Sequence, residues 1–185
     1  MVKRSSPKMN HLNLQVQIRK QLVRRIVLAH PTIGNLAPAF SLNDQDGKKI
    51  SLKDFKGKQG VVLYFYPRAS TPGCTLQANG LKDIKAELEN RGYVAVGVSF
   101  DPVPKIKKFH DKYELNFPLL SDEDHTIIDK YGCWQLKKFM GRENMGTVRT
   151  TFIIDKESRL VKVMDKFKTK SHHETLLEVL DELTE

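Results

Sequence analysis

The 185-residue sequence predicts an α/β fold in which a mixed central β-sheet is flanked by helices. Three observations carry this. Two apolar runs of strand length, GVVLYFYP (60–67) and YVAVGVSF (93–100), have the unbroken hydrophobicity of strands buried on both faces. Between and after them lie segments with apolar residues at helical spacing, so strands alternate with helices. The late pair in RTTFIIDKESRLVKVMDKF (149–167) is joined by a charged turn too short for a crossover helix. It must close as an antiparallel hairpin, which makes the sheet mixed.

Residues 1–33 form a basic extension and residues 34–185 the folded domain. In the domain, APAFSLNDQDGKKISLKDF (37–55) reads as a short strand, a turn at Asp46-Gly47, a second strand and a turn of helix. GVVLYFYP is the first buried strand. A helix follows from Pro72 or Cys74, with Ala78, Leu81, Ile84 and Leu88 along one face and Gly92 beyond its end. YVAVGVSF is the second buried strand, PKIKKFHDKYEL (104–115) a short basic helix, and FPLLSD (117–122) a strand running into a helical EDHTIIDKYG (123–132). The hairpin at 149–167 supplies two more strands, and HHETLLEVLDEL (172–183) closes the chain as an amphipathic helix. This order is the thioredoxin-like plan.

Composition narrows the function. No apolar run approaches the ~20 residues of a membrane helix, and no membrane role is expected. The formal net charge is +9, but residues 1–30 hold seven basic residues and no acid. The remainder has 24 basic against 22 acidic residues and is close to neutral. Nucleic acid is therefore not the expected partner of the domain. The extension reads either as a disordered arm or as an organelle-targeting segment; its IVLA stretch is too short for a secretory signal. Two cysteines, Cys74 and Cys133, make no disulfide framework, and no zinc spacing is present. The adjacent His172 and His173 cannot face one site on a helix. No metal and no cofactor are expected, and the chain reads as cytoplasmic with reduced thiols, or as organellar if the extension directs it.

Cys74 is the residue with chemistry written around it. Pro67 ends the buried strand, Pro72 suits a first helical turn because it has no N–H to lose, and Thr71 stands three residues before the thiol. Free N–H groups and the positive end of the helix then face Cys74, and thiols in such places have a populated thiolate. Thr71 can direct its hydroxyl at the sulfur. Two reactions suit such a thiolate: thiol–disulfide exchange, which wants a second thiol nearby, and attack on a peroxide O–O bond to give a sulfenic acid. Thr71 occupies the place of the first cysteine of a C-x-x-C pair, which disfavours exchange.

Pro67-x-x-x-Thr71-x-x-Cys74 resembles the P-x-x-x-(T/S)-x-x-C motif of peroxiredoxins, and YFYPRASTPGCT resembles the bacterioferritin comigratory protein (PrxQ) subfamily in particular. The likeness continues through GNLAPAFSLNDQDGKKISLKDFKGK, LNFPLLSDEDHTIIDKYGCW, MGTVRTTFIID and DKFKTKSHHETLLEVL, covering residues 34–182. It implies a thiol-dependent peroxidase acting on hydrogen peroxide and organic hydroperoxides through a Cys74 sulfenic acid. Cys74 would be the peroxidatic cysteine, Thr71 a hydrogen-bond partner of peroxide and thiolate, Pro67 a shield from water, and Arg149 the arginine that polarises the peroxide. Thioredoxin, glutaredoxin or a small thiol would be the reductant, and the protein would be a monomer or weak dimer. A redox sensor or holdase with little turnover, or a thiol–disulfide oxidoreductase, are the alternative readings.

Many PrxQ members carry a resolving cysteine five residues after the peroxidatic one; here that position is Asn79. Helical Cα atoms five apart are ~8.6 Å apart, beyond the ~7 Å reach of a disulfide, so a local disulfide would require the helix to unwind. Asn79 makes no such demand. The sulfenic acid would be resolved by an external thiol, in a 1-Cys cycle, by Cys133 if the 131–144 segment is a mobile loop, or by Cys133 of a partner subunit.

Overall fold

The structure, a computed structural model, describes residues 14–15 and 29–184; most of the basic extension, and with it the disordered-arm and targeting readings, lies outside the described residues. Seven strands form the central sheet: β1 (Ser41–Asp44), β2 (Lys49–Ser51), β3 (Gly60–Phe65), β4 (Tyr93–Ser99), β5 (Leu119–Ser121), β8 (Thr150–Ile154) and β9 (Leu160–Met164). Their order is β2-β1-β5-β4-β3-β8-β9. β3, β4 and β5 run parallel, while β1 and β2 on one side and β8 and β9 on the other pair antiparallel. The sheet is mixed, as the crossover-free 149–167 hairpin requires. The helices are α1 (Pro72–Asp83), α2 (Lys85–Asn90), α3 (Val103–Lys112), α4 (Thr126–Lys130) and α5 (His172–Glu182).

Alternation along β3 sorts the core into two layers. Val62, Tyr64 and Tyr66 face one layer with Cys74, Ala78, Leu81, Ile106, Phe109, Leu176 and Leu180, so α1, α2, α3 and α5 cover that side. Val61, Leu63 and Phe65 face the other with Phe40, Leu52, Ile128, Tyr131 and Cys133, covered by α4 and the segment leading into β1. That leading segment touches the domain from His30 onward. The His30 Nδ1–H donates to the Tyr131 carbonyl at 3.0 Å, and its ring meets Phe152 edge-on.

Two elements differ from the sequence expectation. The single helix expected after Pro72 is two, interrupted at Ile84, whose ψ of 17° departs from helical geometry. The 131–144 stretch, which would have to be a mobile loop for Cys133 to reach Cys74, instead enters an antiparallel hairpin, β6 (Trp134–Phe139) with β7 (Arg142–Thr147). Its two turn residues, Met140 and Gly141, both have positive φ (49° and 78°), the geometry of the tight turns that match strand twist. The hairpin replaces the mobile loop through which Cys133 was to reach Cys74.

Candidate active site

The site forms where β3 leaves the sheet. Its chain exits at Tyr66, turns through Pro67–Thr71 with Ser70 in the left-handed region (φ 64°), and enters α1 with Thr71 as an extended N-cap and Pro72 in the first turn. The first intrahelical bond runs from the Thr75 N–H to the Thr71 carbonyl (2.9 Å). The N–H groups of Gly73 and Cys74 precede it and have no carbonyl four residues back within the helix. Cys74 is 1% exposed and packs with the α1 side of the core.

Strand pairing delivers the cation. β8 lies antiparallel to β3 with Phe65 opposite Thr150, so the residue before β8, Arg149, arrives beside the exit of β3. Its guanidinium spans two partners on α1: Nη2 donates to the Cys74 sulfur at 3.2 Å, and Nη1 donates to Gln77 Oε1 at 2.6 Å. Gln77 stands one helical turn beyond Cys74 and is buried. Its amide fixes the fork so that the second arm points at sulfur. The guanidinium also passes close to Gly73, where a Cβ would stand 3.4 Å from Nη2, in ordinary contact. Helix terminus and guanidinium both place positive potential at the sulfur, the arrangement a thiolate needs. Lys137, on β6, donates to the Thr147 carbonyl (2.8 Å). Burial draws its pKa down, with the Arg149 charge acting the same way and Cys74 opposing it.

The buried surroundings of Cys74 hold polar atoms without partners among the described residues: the Tyr64 and Tyr66 hydroxyls and Gln77 Nε2. Burial raises both phenols well above their ordinary range, so they stay neutral. Behind Arg149, His172 Nε2 shares a 2.9 Å hydrogen bond with the Thr151 hydroxyl. Burial lowers the His172 pKa to about 3, helped by the Arg149 charge. α5 comes close to α1 at Gly80, where a Cβ would stand 2.6 Å from His173 Nδ1.

The sequence-derived residues fare differently. Cys74 and Arg149 meet, and Pro67 lies half-buried at the strand exit. Thr71 is on the loop beside them, but its hydroxyl does not donate to the sulfur: it donates to the Arg68 carbonyl at 2.9 Å. A hydroxyl has one proton, so Thr71 Oγ1 keeps only its lone pairs for other partners. Cys133 is fully buried in the opposite layer of the core, where its sulfur faces the Tyr131 carbonyl at 3.6 Å and burial pushes the thiol up to about 12. The seven-stranded sheet therefore stands between the two thiols. Gln77 went unread in the sequence, although its i, i+3 spacing from Cys74 puts it on the same helical face.

Among the described residues no group of three or more His, Cys, Asp or Glu side chains is placed to hold a metal ion, and no helix is long and apolar enough to cross a membrane. Residues 33–163 match the AhpC/TSA family. The chain is 48% identical to peroxiredoxin Bcp of Escherichia coli over 149 residues, which is 80% of this chain and 95% of that protein. It is 42% identical to peroxiredoxin Bcp of Bacillus subtilis over 153 residues, 83% of this chain and 97% of the relative. A solved structure of bacterioferritin comigratory protein from Xanthomonas campestris superposes with a TM-score of 0.74 at 28% identity, covering 79% of this chain and 92% of that one.

Proposed function

The chain belongs to the AhpC/TSA family, with Bcp peroxiredoxins as its relatives, and on that premise we propose that it is a thiol-dependent peroxidase whose Cys74 reduces hydrogen peroxide and organic hydroperoxides. The observation that carries the reading is the 3.2 Å contact between Arg149 Nη2 and the Cys74 sulfur at the start of α1. The Xanthomonas campestris relative has alkyl peroxide reduction activity, which agrees with an organic substrate.

The chemistry follows from the groups present. The Cys74 thiolate attacks one peroxide oxygen. An S–O bond forms, the O–O bond breaks, and the electron pair leaves on the distal oxygen, which takes a proton to become water or alcohol. Cys74 is oxidised to a sulfenic acid and the peroxide is reduced. Arg149 offers N–H groups to the oxygen on which charge develops. Thr71, its proton committed to Arg68, accepts a hydrogen bond from the incoming peroxide O–H. The shield of Pro67 and the apolar layer around Cys74 keep bulk water from the sulfur.

Recovery uses two external thiols. The first attacks the sulfenic acid, releasing water and leaving a mixed disulfide. The second attacks that disulfide and restores Cys74. Two features support a 1-Cys cycle with thioredoxin, glutaredoxin or a small thiol as reductant: Asn79 in place of a thiol on α1, and the location of Cys133 across the sheet with its thiol held neutral. Intact-mass measurement after one equivalent of peroxide, on the wild type and on Cys133→Ser, tests this. Both proteins should gain a single dimedone adduct on Cys74. Loss of two hydrogens in the wild type alone would show an internal Cys74–Cys133 disulfide and overturn the 1-Cys part. Failure to consume any peroxide would overturn the whole.

A further inference from the structure

Beneath the Pro67–Thr71 loop lies a buried carboxylate that the chemistry above does not use. Asp101, just past the end of β4, is 2% exposed. Its Oδ2 accepts the Ala69 N–H at 2.6 Å and the Ser99 hydroxyl at 3.3 Å. Its Oδ1 pairs with Lys105 Nζ at 2.5 Å. The Asp101 backbone is fixed separately, through its N–H to Ser99 Oγ at 3.2 Å and its carbonyl to the Ser121 hydroxyl at 2.7 Å. Strand β4 and helix α3 thus converge on the carboxylate while β5 fixes the backbone behind it, and that carboxylate reaches a single point of the loop.

That point matters because of which peptide it is. The Ala69 N–H and the Arg68 C=O belong to the same planar amide. The N–H of this amide is held by Asp101, and its carbonyl receives the Thr71 hydroxyl proton at 2.9 Å. A carboxylate drawing on the N–H side polarises the amide and strengthens its carbonyl as an acceptor. It also stops the amide from rotating that carbonyl away. A buried carboxylate is costly to maintain unless its bonds are complete, and here they are completed by the loop and by Lys105.

We propose that Asp101 is a positioning residue for peroxide reduction: through the Arg68–Ala69 amide it commits the Thr71 proton to Arg68 and so presents Thr71 Oγ1 to the peroxide as a hydrogen-bond acceptor. The proposal rests on the peroxidase reading of Cys74. It predicts that the effect of Asp101 passes through Thr71 and vanishes where Thr71 has no hydroxyl.

A double-mutant cycle on the full chain tests it, with kcat/KM for hydrogen peroxide measured in the presence of a thiol reductant and folding checked by circular dichroism. Asp101→Ala should lower kcat/KM by about tenfold or more. The same change made in Thr71→Val should cost no more than about twofold. Asp101→Asn keeps an oxygen for the Ala69 N–H and should recover to within about threefold of the wild type. Should Asp101→Ala not fold, Asp101→Leu fills the volume and takes its place in the cycle. An equal cost in both backgrounds shows a structural effect that bypasses Thr71 and overturns the proposal, as does the absence of any cost in the wild-type background. A wild type that consumes no peroxide overturns the peroxidase reading instead, so the two failures are distinct.

Discussion

Arg149→Met separates the guanidinium from everything else in the site. The side chain keeps an apolar stem as far as the place of Nε, while two hydrogen bonds vanish: 3.2 Å to the Cys74 sulfur and 2.6 Å to Gln77. Unit charges at that first distance attract by about 5 kcal/mol at an effective dielectric of ~20 and by about 1.3 kcal/mol in bulk water. A charge-assisted bond measured against solvent lies between, at about 1.5–3 kcal/mol. If that energy is realised on the thiolate and on the leaving oxygen, the rate of peroxide attack falls by about 10- to 150-fold. Arg149→Lys should lie between methionine and wild type, because a single ammonium cannot reach sulfur and Gln77 together with the geometry of a fork. Competition against catalase for a limiting pulse of hydrogen peroxide reads the second-order rate directly, without involving the reductant. A loss below about threefold in Arg149→Met, in a protein that still melts cooperatively, would refute the assignment of Arg149 to the reacting sulfur.

Three further outcomes can be measured. His172 is held neutral in the fold with a pKa of about 3 against an ordinary 6.5. Between those values the unfolded chain binds a proton that the native chain does not, so its contribution is whole above about pH 6.5 and drains away as pH falls toward 3. Its full span is about 5 kcal/mol; urea unfolding of His172→Gln between about pH 4 and 7 should show a flatter stability profile than the wild type, and an unchanged slope would exclude His172 as its source. Gln77→Leu should slow peroxide attack less than Arg149→Met does, since it frees the guanidinium without removing it, and a larger effect would show that Gln77 has its own role on the peroxide. Amide exchange across residues 75–88 should be the same before and after one equivalent of peroxide, because no thiol at position 79 pulls α1 apart; loss of protection throughout that stretch would count against the 1-Cys cycle.

Much of this molecule was legible where burial imposes a period. β3 and β4 announce themselves as unbroken apolar runs because both faces are covered, and the β8–β9 hairpin follows from the length of its turn. The β6–β7 hairpin was not legible for the opposite reason. Its strands are rich in Lys, Glu and Asn, several of its side chains are exposed, and its Met140-Gly141 turn lacks the usual Asn-Gly or Asp-Gly signal. In the site, the TPGC turn and the motif around it pointed to Cys74, and the resemblance to Arg149. The direction of the Thr71 hydroxyl could not be read, since it depends on a carbonyl whose orientation is set by Asp101, 30 residues further on. Gln77 left a local trace in its spacing, whereas Asp101 left none, because what brings it under the loop is the pairing of β3 with β4.

The separation of the two sulfurs by the sheet has a consequence for how oxidising equivalents travel. A chain with both thiols in one layer could store an equivalent as a covalent link within itself and wait. Here, under the proposed cycle, the equivalent stays on Cys74 as its sulfenic acid until another molecule collects it. The lifetime of that state is then set outside the protein, by the concentration of free thiol around it. The fold thereby couples peroxide removal to the supply of reductant: when thiols are scarce the enzyme stays oxidised, and its oxidised fraction becomes a gauge of that scarcity.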